Sequence, residues 1–510
     1  MRDDGGRITR PFGNFRVFAA VAFLVVAVGL LTIGFAPPAQ ALPSFARQTG
    51  QPCGTCHTDF PALTPYGRRF KLLGYTTGGG EFRTTPFSSQ AGRDARAEYE
   101  KMLGYVKALP APATNEADKD YVPPISMMAI VGFTHTEASM TPPTDPYATN
   151  NNVVVSPLSF FWGGAITDHI GAFAQTTYNA PPAGGFGTDP FAQHTWTWDN
   201  TDIRYADSTS LGKLNFTYGI TANNGPTVQD PWNTTPAWGF PYAVSTLGAG
   251  FGTTTILDGT FAAHVGSVGA YAYVNDLLYL EASVYRTLDP NAQNDLGTDP
   301  FKAPGLFDAA PYWRAAFEPH WGNNWLEVGT FGMAANVHPW VNAGTPDTST
   351  FSQTDKYTDI GFDTQYQYQG DNYWFTLRGS YIHENQKLDA TFANFGSTNP
   401  TDVLNEARAY ASLAYGNDNR VVLTGQYFNS WGSSDSTLYS VANGFSNFSP
   451  NTDGWIAEIA YIPFISSVAP GWPWFNARIG LQYTWYDKFN GTNVGASGNN
   501  TLFAYLWLAM

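Results

Sequence analysis

From Ile125 to the end of the chain, apolar and polar residues alternate with a period of two in one segment after another. In the clearest segment, residues 475–486, Ile479 and Leu481 share one face, while Arg478 and Gln482 share the other. A β-strand places successive side chains on opposite faces, so one face suits lipid and the other a wet interior. Very short turns alternate with long polar loops, which is typical of membrane β-barrels.

We count sixteen such segments, and an even number closes a bacterial barrel with both ends in the periplasm. They cover residues 125–136, 154–166, 169–179, 195–206, 212–221, 259–275, 277–287, 310–320, 323–335, 355–368, 372–384, 404–415, 420–429, 453–463, 473–486 and 500–510. The pattern therefore predicts an all-β transmembrane barrel of about 16 antiparallel strands over residues 123–510. A soluble β-sandwich or propeller is the alternative, but we find no internal repeat to support it.

Composition agrees with a barrel. Only 13% of the residues are charged while 16% are aromatic, and no apolar segment after Phe35 is long enough for a transmembrane helix. The formal net charge of −15 disfavours nucleic acid and anionic lipid as partners and favours cations.

The first 41 residues have the pattern of a signal peptide. Four arginines precede an apolar run over residues 17–35, and a small-residue cleavage site follows at residues 39–41. We expect cleavage after Ala41 and export to the bacterial outer membrane. An uncleaved anchor is the alternative, because the apolar run is long enough to span a bilayer.

The two cysteines of the chain lie together in Cys53-Gly54-Thr55-Cys56-His57. Two thiols one helical turn apart, followed at once by an imidazole, are the pattern that attaches c-type haem. A redox disulfide or a zinc site is possible for a cysteine pair, but zinc needs further ligands at suitable spacing. We predict one c-type haem, with thioether bonds from Cys53 and Cys56 and His57 as the proximal ligand.

Residues 42–122 are predicted to form a small α-helical cytochrome domain and a linker. Thr64 is the expected N-cap of a short helix with Pro65 at its first position and Gly74 as its stop. A second helical pattern covers residues 90–109 and includes Met102.

The distal haem ligand is left with three candidates. A sulfur ligand raises the haem potential relative to two imidazoles, which suits an electron acceptor. Met128 is preferred because it lies on the more polar row of residues 126–136, which is expected to face the lumen. Met102 is second, and His135 is third because strand parity turns it outward.

The sequence around the haem motif resembles the monohaem fused outer-membrane cytochrome-porin family. The resemblance lies in residues 43–50, 60–68 and 70–76, and residues 218–230 and 236–242 are also similar. It implies a cytochrome domain in or against a barrel, and an oxidoreductase that passes electrons from extracellular Fe(II) to a periplasmic soluble cytochrome or copper protein. The long stretch over residues 78–120 departs from the family pattern.

Two other functions fit the same pattern. One is a diffusion porin with the cytochrome as plug or redox gate, and the other an outward conduit to an extracellular acceptor. A porin would use its lumenal charges as a selectivity lining, for which the candidates are Asp363, Arg378, Glu406, Arg408, Glu458 and Arg478.

The loops carry two further expectations. Acidic loop residues could raise the local Fe(II) concentration, although a hydrated acidic surface is the simpler interpretation; they are Asp145, Asp189, Asp230, Asp289, Asp347 and Asp435. The loop over residues 223–249 is predicted to fold inward and narrow the extracellular mouth, because its aromatic side chains need shelter from water.

Overall fold

The computed structural model describes residues 43–49, 51–76, 124–139, 150–167, 169–178, 196–300, 303–339, 353–469 and 471–510. The predicted signal peptide over residues 1–41 and the predicted helix over residues 90–109 lie outside this range. No helix within the described ranges is long and apolar enough to cross a membrane.

Sixteen long antiparallel strands form a single closed sheet. Each strand pairs with the next along the chain, and the last strand pairs with the first from Thr501 opposite Thr136 to Ala509 opposite Met128. The strands are β1 Ile125–Thr136, β2 Asn151–Ala165, β3 Ile170–Tyr178, β4 Trp196–Leu211, β5 Leu214–Asn223, β6 Val265–Val274, β7 Leu278–Thr287, β8 Ala310–Phe317, β9 Asn324–His338, β10 Asp355–Gln369, β11 Tyr373–Lys387, β12 Thr401–Tyr415, β13 Arg420–Gly432, β14 Thr452–Ile462, β15 Asn476–Lys488 and β16 Thr501–Ala509. Two-residue strands at Gly305–Leu306 and His320–Trp321 extend the sheet beside β9.

The predicted barrel and its sixteen segments are confirmed, and a closed single sheet excludes the sandwich and propeller. The main difference lies before β6, which begins at Val265 rather than at residue 259. Residues Ile256–Thr260 instead form a π-helical turn in which Gly259 has φ +90°, a backbone angle that interrupts a strand.

The strand faces follow the predicted parity. On β1 the side chains of Met128, Ile130 and Thr134 are buried inside, while Val131 on the opposite row is 41% exposed. On β15 Arg478 is fully buried, whereas Leu481 is 38% exposed on the outer face. The barrel therefore presents an apolar outer surface and a polar inner one.

The two ends of the barrel differ. Short turns, such as residues 212–213, 275–277 and 370–372, lie at the end where β1 begins and β16 finishes. Long connections, such as residues 224–264 and 433–451, lie at the opposite end. We call these the short-turn end and the long-loop end.

Five short helices accompany the barrel in the described ranges: α1 Pro43–Thr49, α2 Cys53–Cys56, α3 Pro65–Leu72, α4 Pro290–Asp295 and α5 Asp389–Ala393. Turns of 3₁₀-helix lie at Pro236–Trp238, Val441–Asn443 and Ala496–Asn499. Between α2 and α3, His57–Asp59 pairs with Ala62–Leu63.

The start and stop predicted for α3 are confirmed. The Thr64 hydroxyl accepts a hydrogen bond from the Gly67 amide at 3.2 Å, and Pro65 occupies the first turn, where its missing N–H costs nothing. Gly74 ends the helix with φ +70°.

Residues 43–49 and 51–76, here called the plug segment, lie inside the short-turn end. The segment contacts well-separated strands of the barrel wall: Arg47 donates to the Ile125 carbonyl of β1 at 2.8 Å, and Tyr271 of β6 donates to the Leu72 carbonyl at 2.5 Å. Tyr75 donates to Asp202 on β4 at 2.7 Å. These contacts place residues 53–57 within the barrel rather than beside it.

Residues 224–264, here called the inward loop, enter the lumen from the long-loop end. Trp232 and Phe240 are buried, at 2% and 3% exposure. The predicted inward folding of this loop is confirmed. The loop also reaches further than the barrel mouth, because Asn233 donates to the Pro61 carbonyl of the plug segment at 3.3 Å.

Candidate functional site

The predicted haem-binding motif, residues 53–57, forms one helical turn followed by extended backbone. Cys53 to Cys56 make α2, His57 begins a short strand, and both thiols are free and half-buried. The Gly54 amide donates to the Ile465 carbonyl at 2.9 Å, and Arg420 donates to the His57 and Thr58 carbonyls at 2.5 and 2.8 Å. The barrel wall therefore holds the backbone of the motif directly.

Helix α3 packs against the other side of this turn. The Thr64 amide donates to the Cys56 carbonyl at 2.9 Å, and the Thr64 hydroxyl donates to the Thr55 carbonyl at 2.5 Å. At Gly67 a Cβ atom would lie 2.2 Å from the Cys56 carbonyl oxygen. Glycine is thus required here by close backbone contact, and α3 fixes the position of the second cysteine.

His57 lies in an apolar setting. Its Nδ1 atom is buried and has no hydrogen-bond partner, and burial lowers the pKa of the imidazole to about 4. The ring meets Phe60 edge-on, with centroids 6.2 Å apart, and Phe60 meets Trp507 of β16 at 5.3 Å. A neutral imidazole is the form that binds iron.

These residues fit a c-type haem. The two thiols lie one helical turn apart, and the adjacent imidazole is neutral with an unpartnered ring nitrogen. Cys53 packs against one apolar cluster that includes Phe60, Met128 and Trp507, a suitable surface for a porphyrin. Among the described residues no group of three or more His, Cys, Asp or Glu side chains is placed to hold a separate metal ion.

The three candidate distal ligands are separated by position. Met128 faces inward as predicted, is 8% exposed and belongs to the apolar cluster that includes Phe60. His135 lies at the long-loop end, where its Nδ1 is 2.9 Å from the Asn151 side-chain oxygen, seven residues or roughly 23 Å along β1 from Met128. Met102 lies outside the described residues. Iron ligation by Met128 stays a prediction.

Arg478 attaches the plug segment to the wall. Its fully buried guanidinium forms ion pairs with Asp59 of the plug segment and with Glu458 of β14. It also donates to the Phe60 carbonyl at 3.1 Å and to the Tyr505 hydroxyl at 2.8 Å. A buried charge needs such partners because its desolvation is costly.

Lys71 joins the plug segment to the inward loop. Its ammonium donates to the Val228 and Asp230 carbonyls at 2.8 and 2.7 Å and to the Asn233 side-chain oxygen at 3.0 Å. The same ammonium lies 4.7 Å from the centre of the Trp238 ring. The two segments that enter the barrel from opposite ends are therefore bound to each other in its interior.

The six charged residues predicted to line the lumen do face inward, and five of them hold the two inserted segments. Arg408 pairs with Asp258, and Glu406 accepts from the Thr255 amide. The remaining contacts are Asp363 with Thr234, Arg378 with Tyr242 and Arg478 with Asp59, while Glu458 pairs with Arg478.

Next to Glu406, two more strand carboxylates hold the inward loop. Glu384 accepts from the Ile256 amide at 2.6 Å, and Asp359 accepts from the Leu257 amide at 3.1 Å. Three neighbouring strands thus bind three successive backbone amides of the loop.

Two of the acidic residues expected on a hydrated loop surface are instead buried, where they form ion pairs or hydrogen bonds within the protein. Asp230 is fully buried and pairs with Arg314 at 3.2 Å. Asp435 is 1% exposed and accepts backbone hydrogen bonds from four residues, among them Thr398 at 2.7 Å. Asp289 caps helix α4. Asp145, Asp189 and Asp347 lie outside the described residues.

No protein-family model matches this chain, and no curated protein matches it. Comparison with solved structures finds outer-membrane proteins at low sequence identity and low TM-score. Outer-membrane expressed OmpT of Vibrio cholerae is 9% identical, covering 76% of this chain and 97% of its own, with a TM-score of 0.38. Pseudomonas putida OprB is 12% identical over 76% and 93%, with a TM-score of 0.44. Salmonella typhi OmpF in complex with daunomycin is 12% identical over 76% and 97%, with a TM-score of 0.41.

Sequence reasoning did not identify the side chains that hold the Cys53–His57 motif in place. Arg478 was expected to line an open lumen, and nothing in the strand pattern indicated that Asp59 would neutralise it. Lys71 appeared only as part of helix α3. The signal that was available is composition: a loop as aromatic as residues 232–242 needs a surface to cover it.

Proposed function

We propose that this chain is an outer-membrane c-type cytochrome that carries electrons between an extracellular donor, Fe(II), and a periplasmic soluble cytochrome or copper protein. The observation that carries the proposal is the position of Cys53, Cys56 and His57 within the short-turn end of the barrel. A haem attached there lies inside the membrane-spanning structure, where a carrier on one side and a donor on the other can both approach.

The proposed location is supported by the outer surface of the barrel. Apolar side chains along the strands are exposed, among them Val284 at 50%, Ile360 at 39% and Leu423 at 50%. Such an apolar band suits the hydrocarbon layer of a membrane. In bacterial barrels the short turns face the periplasm, which would put the haem motif on the side of the periplasmic carrier.

When bound, haem supplies a one-electron Fe(III)/Fe(II) couple. The residues of this chain that would hold it are Cys53 and Cys56, through thioether bonds, with His57 and Met128 as the proposed ligands of its iron. Phe60 and Trp507 exclude water beside the motif, which influences the potential of a bound haem.

Aromatic side chains continue from this site toward the long-loop end. Tyr242 packs against the cluster that contains Phe60, and also against a second cluster that contains Phe240 and Phe428. The second cluster extends to Tyr486, whose ring centroid lies 5.2 Å from that of Phe489 beyond the end of β15. Packed rings therefore fill part of the space between the motif and the long-loop end, so electrons that cross it would pass through protein rather than through open water.

A diffusion porin is the second candidate. It is favoured by the porin-like barrel itself, with sixteen strands and an inner face rich in charge. A diffusion porin needs a continuous water path, however, and here Lys71, Arg478 and Arg408 join the plug segment and the inward loop to each other and to the wall.

A conduit that carries electrons outward to an extracellular acceptor would use the same site. The direction of electron transfer depends on the haem potential.

Anaerobic addition of Fe(II) to the purified, haem-loaded protein tests the main proposal. We expect the absorption bands of reduced haem to appear after Fe(II) addition. We also expect planar bilayers that contain the protein to show no open-channel conductance. The matched control is the Cys53→Ser/Cys56→Ser variant, in which the covalent haem stain should be lost while the folded barrel remains. If Fe(II) leaves the haem oxidised and conductance is high whatever the redox state, the porin assignment replaces ours.

A further inference from the structure

Arg420 begins strand β13 at the short-turn end and lies on the inner face of the barrel beside residues 53–57. The residue is buried, at 2% exposure. Its Nε donates to the Gly416 carbonyl at 3.0 Å, which holds the guanidinium against the turn before β13. Its Nη1 donates to the His57 and Thr58 carbonyls at 2.5 and 2.8 Å. A buried cation is therefore bound directly to the backbone of the proposed iron ligand.

The same guanidinium also lies against the first turn of the motif. A Cβ atom on Gly54 would lie 3.1 Å from Nη2 of Arg420, which is tighter than an ordinary van der Waals contact. The Gly54 amide is held from the next connection of the wall, since it donates to the Ile465 carbonyl at 2.9 Å. Arg420 is close enough to interact electrostatically with Cys53 and with His57. One buried cation thus acts on both ends of residues 53–57.

Two carboxylates near the motif are paired with a different arginine. Asp59 and Glu458 both form ion pairs with Arg478. Replacement of Arg420 leaves these two pairs in place. Such a substitution removes one positive charge beside residues 53–57 and leaves the neighbouring Asp59–Arg478–Glu458 group as it is.

A buried positive charge acts on a redox centre in a definite direction. Oxidised haem carries one more positive charge than reduced haem, so a nearby cation destabilises the oxidised form and raises the reduction potential. At an effective dielectric constant of about 20, a unit charge about 10 Å away changes a one-electron equilibrium by roughly a factor of ten. Salt screens a buried charge much less than an exposed one.

We propose that Arg420 is a positioning residue that sets the reduction potential of the attached haem. Its hydrogen bonds hold the His57 carbonyl, and its charge favours the reduced state of the iron. The inference rests on the proposed function, because it needs a haem on Cys53 and Cys56. It extends that function by giving a residue of the barrel wall control over the potential, in addition to the axial ligands. No bond to Arg420 is made or broken.

The experiment measures the midpoint potential of the purified, haem-loaded full chain in a dye-mediated redox titration without Fe(II). Wild type, Arg420→Lys and Arg420→Gln are compared. Arg69→Gln is the matched control, because it removes a positive charge from the plug segment at an exposed ion pair. We expect the equilibrium constant for reduction to fall about tenfold in Arg420→Gln, which is 59 mV for one electron. Arg420→Lys, which keeps the charge, and Arg69→Gln should stay within about threefold of the wild type.

A second measurement tests the positioning without haem. Hydrogen exchange followed by mass spectrometry is measured over residues 53–58 in the Cys53→Ser/Cys56→Ser background, with and without Arg420→Gln. Exchange should be faster when Arg420 is replaced, because two hydrogen bonds to the His57 and Thr58 carbonyls are lost. Equal exchange in the two proteins would show that Arg420 does not hold the motif.

A lower potential in Arg420→Gln, with an unchanged ligation spectrum and a wild-type potential in Arg420→Lys, supports the inference. Equal potentials in Arg420→Gln and wild type refute it. An equal fall in Arg420→Lys and Arg420→Gln also refutes it, because charge would then not be the cause, and so does a shift that comes with a changed ligation spectrum.

Two further outcomes are separable. If Arg420→Gln does not fold, Arg420→Lys decides alone, since a wild-type potential supports the inference and a tenfold fall refutes it. A wild type that carries no covalent haem refutes the proposed function, whereas a haem whose potential ignores Arg420 refutes only the present inference.

Discussion

Replacement of Arg478 by Met should detach the plug segment while leaving the barrel folded. The guanidinium is fully buried and neutralises Asp59 and Glu458, which are also buried. Removal of one partner from a buried ion pair costs about 3–5 kcal/mol, because an uncompensated charge stays behind. At 1.4 kcal/mol per factor of ten, the ratio of docked to undocked plug segment should fall by roughly two to three and a half powers of ten.

Hydrogen exchange followed by mass spectrometry measures this change over residues 57–63. We expect faster exchange there in Arg478→Met, unchanged exchange in the barrel strands, and the same shift on heating in denaturing electrophoresis as the wild type. Arg69→Met is the matched control, because the Arg69–Asp276 pair is exposed and is expected to contribute about 0–1 kcal/mol. Addition of Asp59→Asn to Arg478→Met should slow hydrogen exchange over residues 57–63 again in part, because it removes one of the two carboxylate charges left without a partner.

Unchanged exchange over residues 57–63 in Arg478→Met would refute the reasoning. The same conclusion would follow if Arg69→Met had an equal effect, because the result would then not depend on burial.

Three further predictions concern single side chains. Gly67→Ala should prevent helix α3 from packing on the haem motif, because its Cβ would lie 2.2 Å from the Cys56 carbonyl oxygen; haem staining after denaturing electrophoresis should fall, and normal staining would contradict this. Met128→Ala should change the haem absorption spectrum and lower the midpoint potential in a redox titration, because a sulfur ligand is lost. An unchanged spectrum would exclude Met128 and move the search to Met102. Lys71→Met should make the inward loop sensitive to protease in the intact protein, because three hydrogen bonds to residues 228–233 disappear. Equal resistance in the variant and wild type would show that other contacts hold the loop.

The strands were predictable because a membrane barrel imposes one rule on every residue. Lipid outside and polar groups inside force alternation, so Met128 and Arg478 were assigned to the inner face from parity alone. The start and stop of α3 were equally local, since Thr64, Pro65 and Gly74 act through their own backbone geometry. The strand bounds were least accurate where a glycine changes the backbone, as at Gly259.

The spacing of Cys53, Cys56 and His57 is also a local property of the sequence and needs no tertiary contact. Haem attachment at these residues stays a prediction. His135 shows the limit of such reasoning: its residue type suits iron, but its position along β1 puts it at the long-loop end of the barrel.

The sequence alone thus determined the barrel, its strand count and the haem motif, because periodicity and spacing are local properties of the chain. Only the tertiary structure decided what fills the lumen, since the pairings of Arg478 with Asp59 and of Lys71 with residues 228–233 join positions more than 150 residues apart. Many arginines and carboxylates were available for these ion pairs, and alternation does not distinguish among them. The closed shape of the wall selects the partners, because it brings the plug segment and the inward loop to the same few inward-facing side chains.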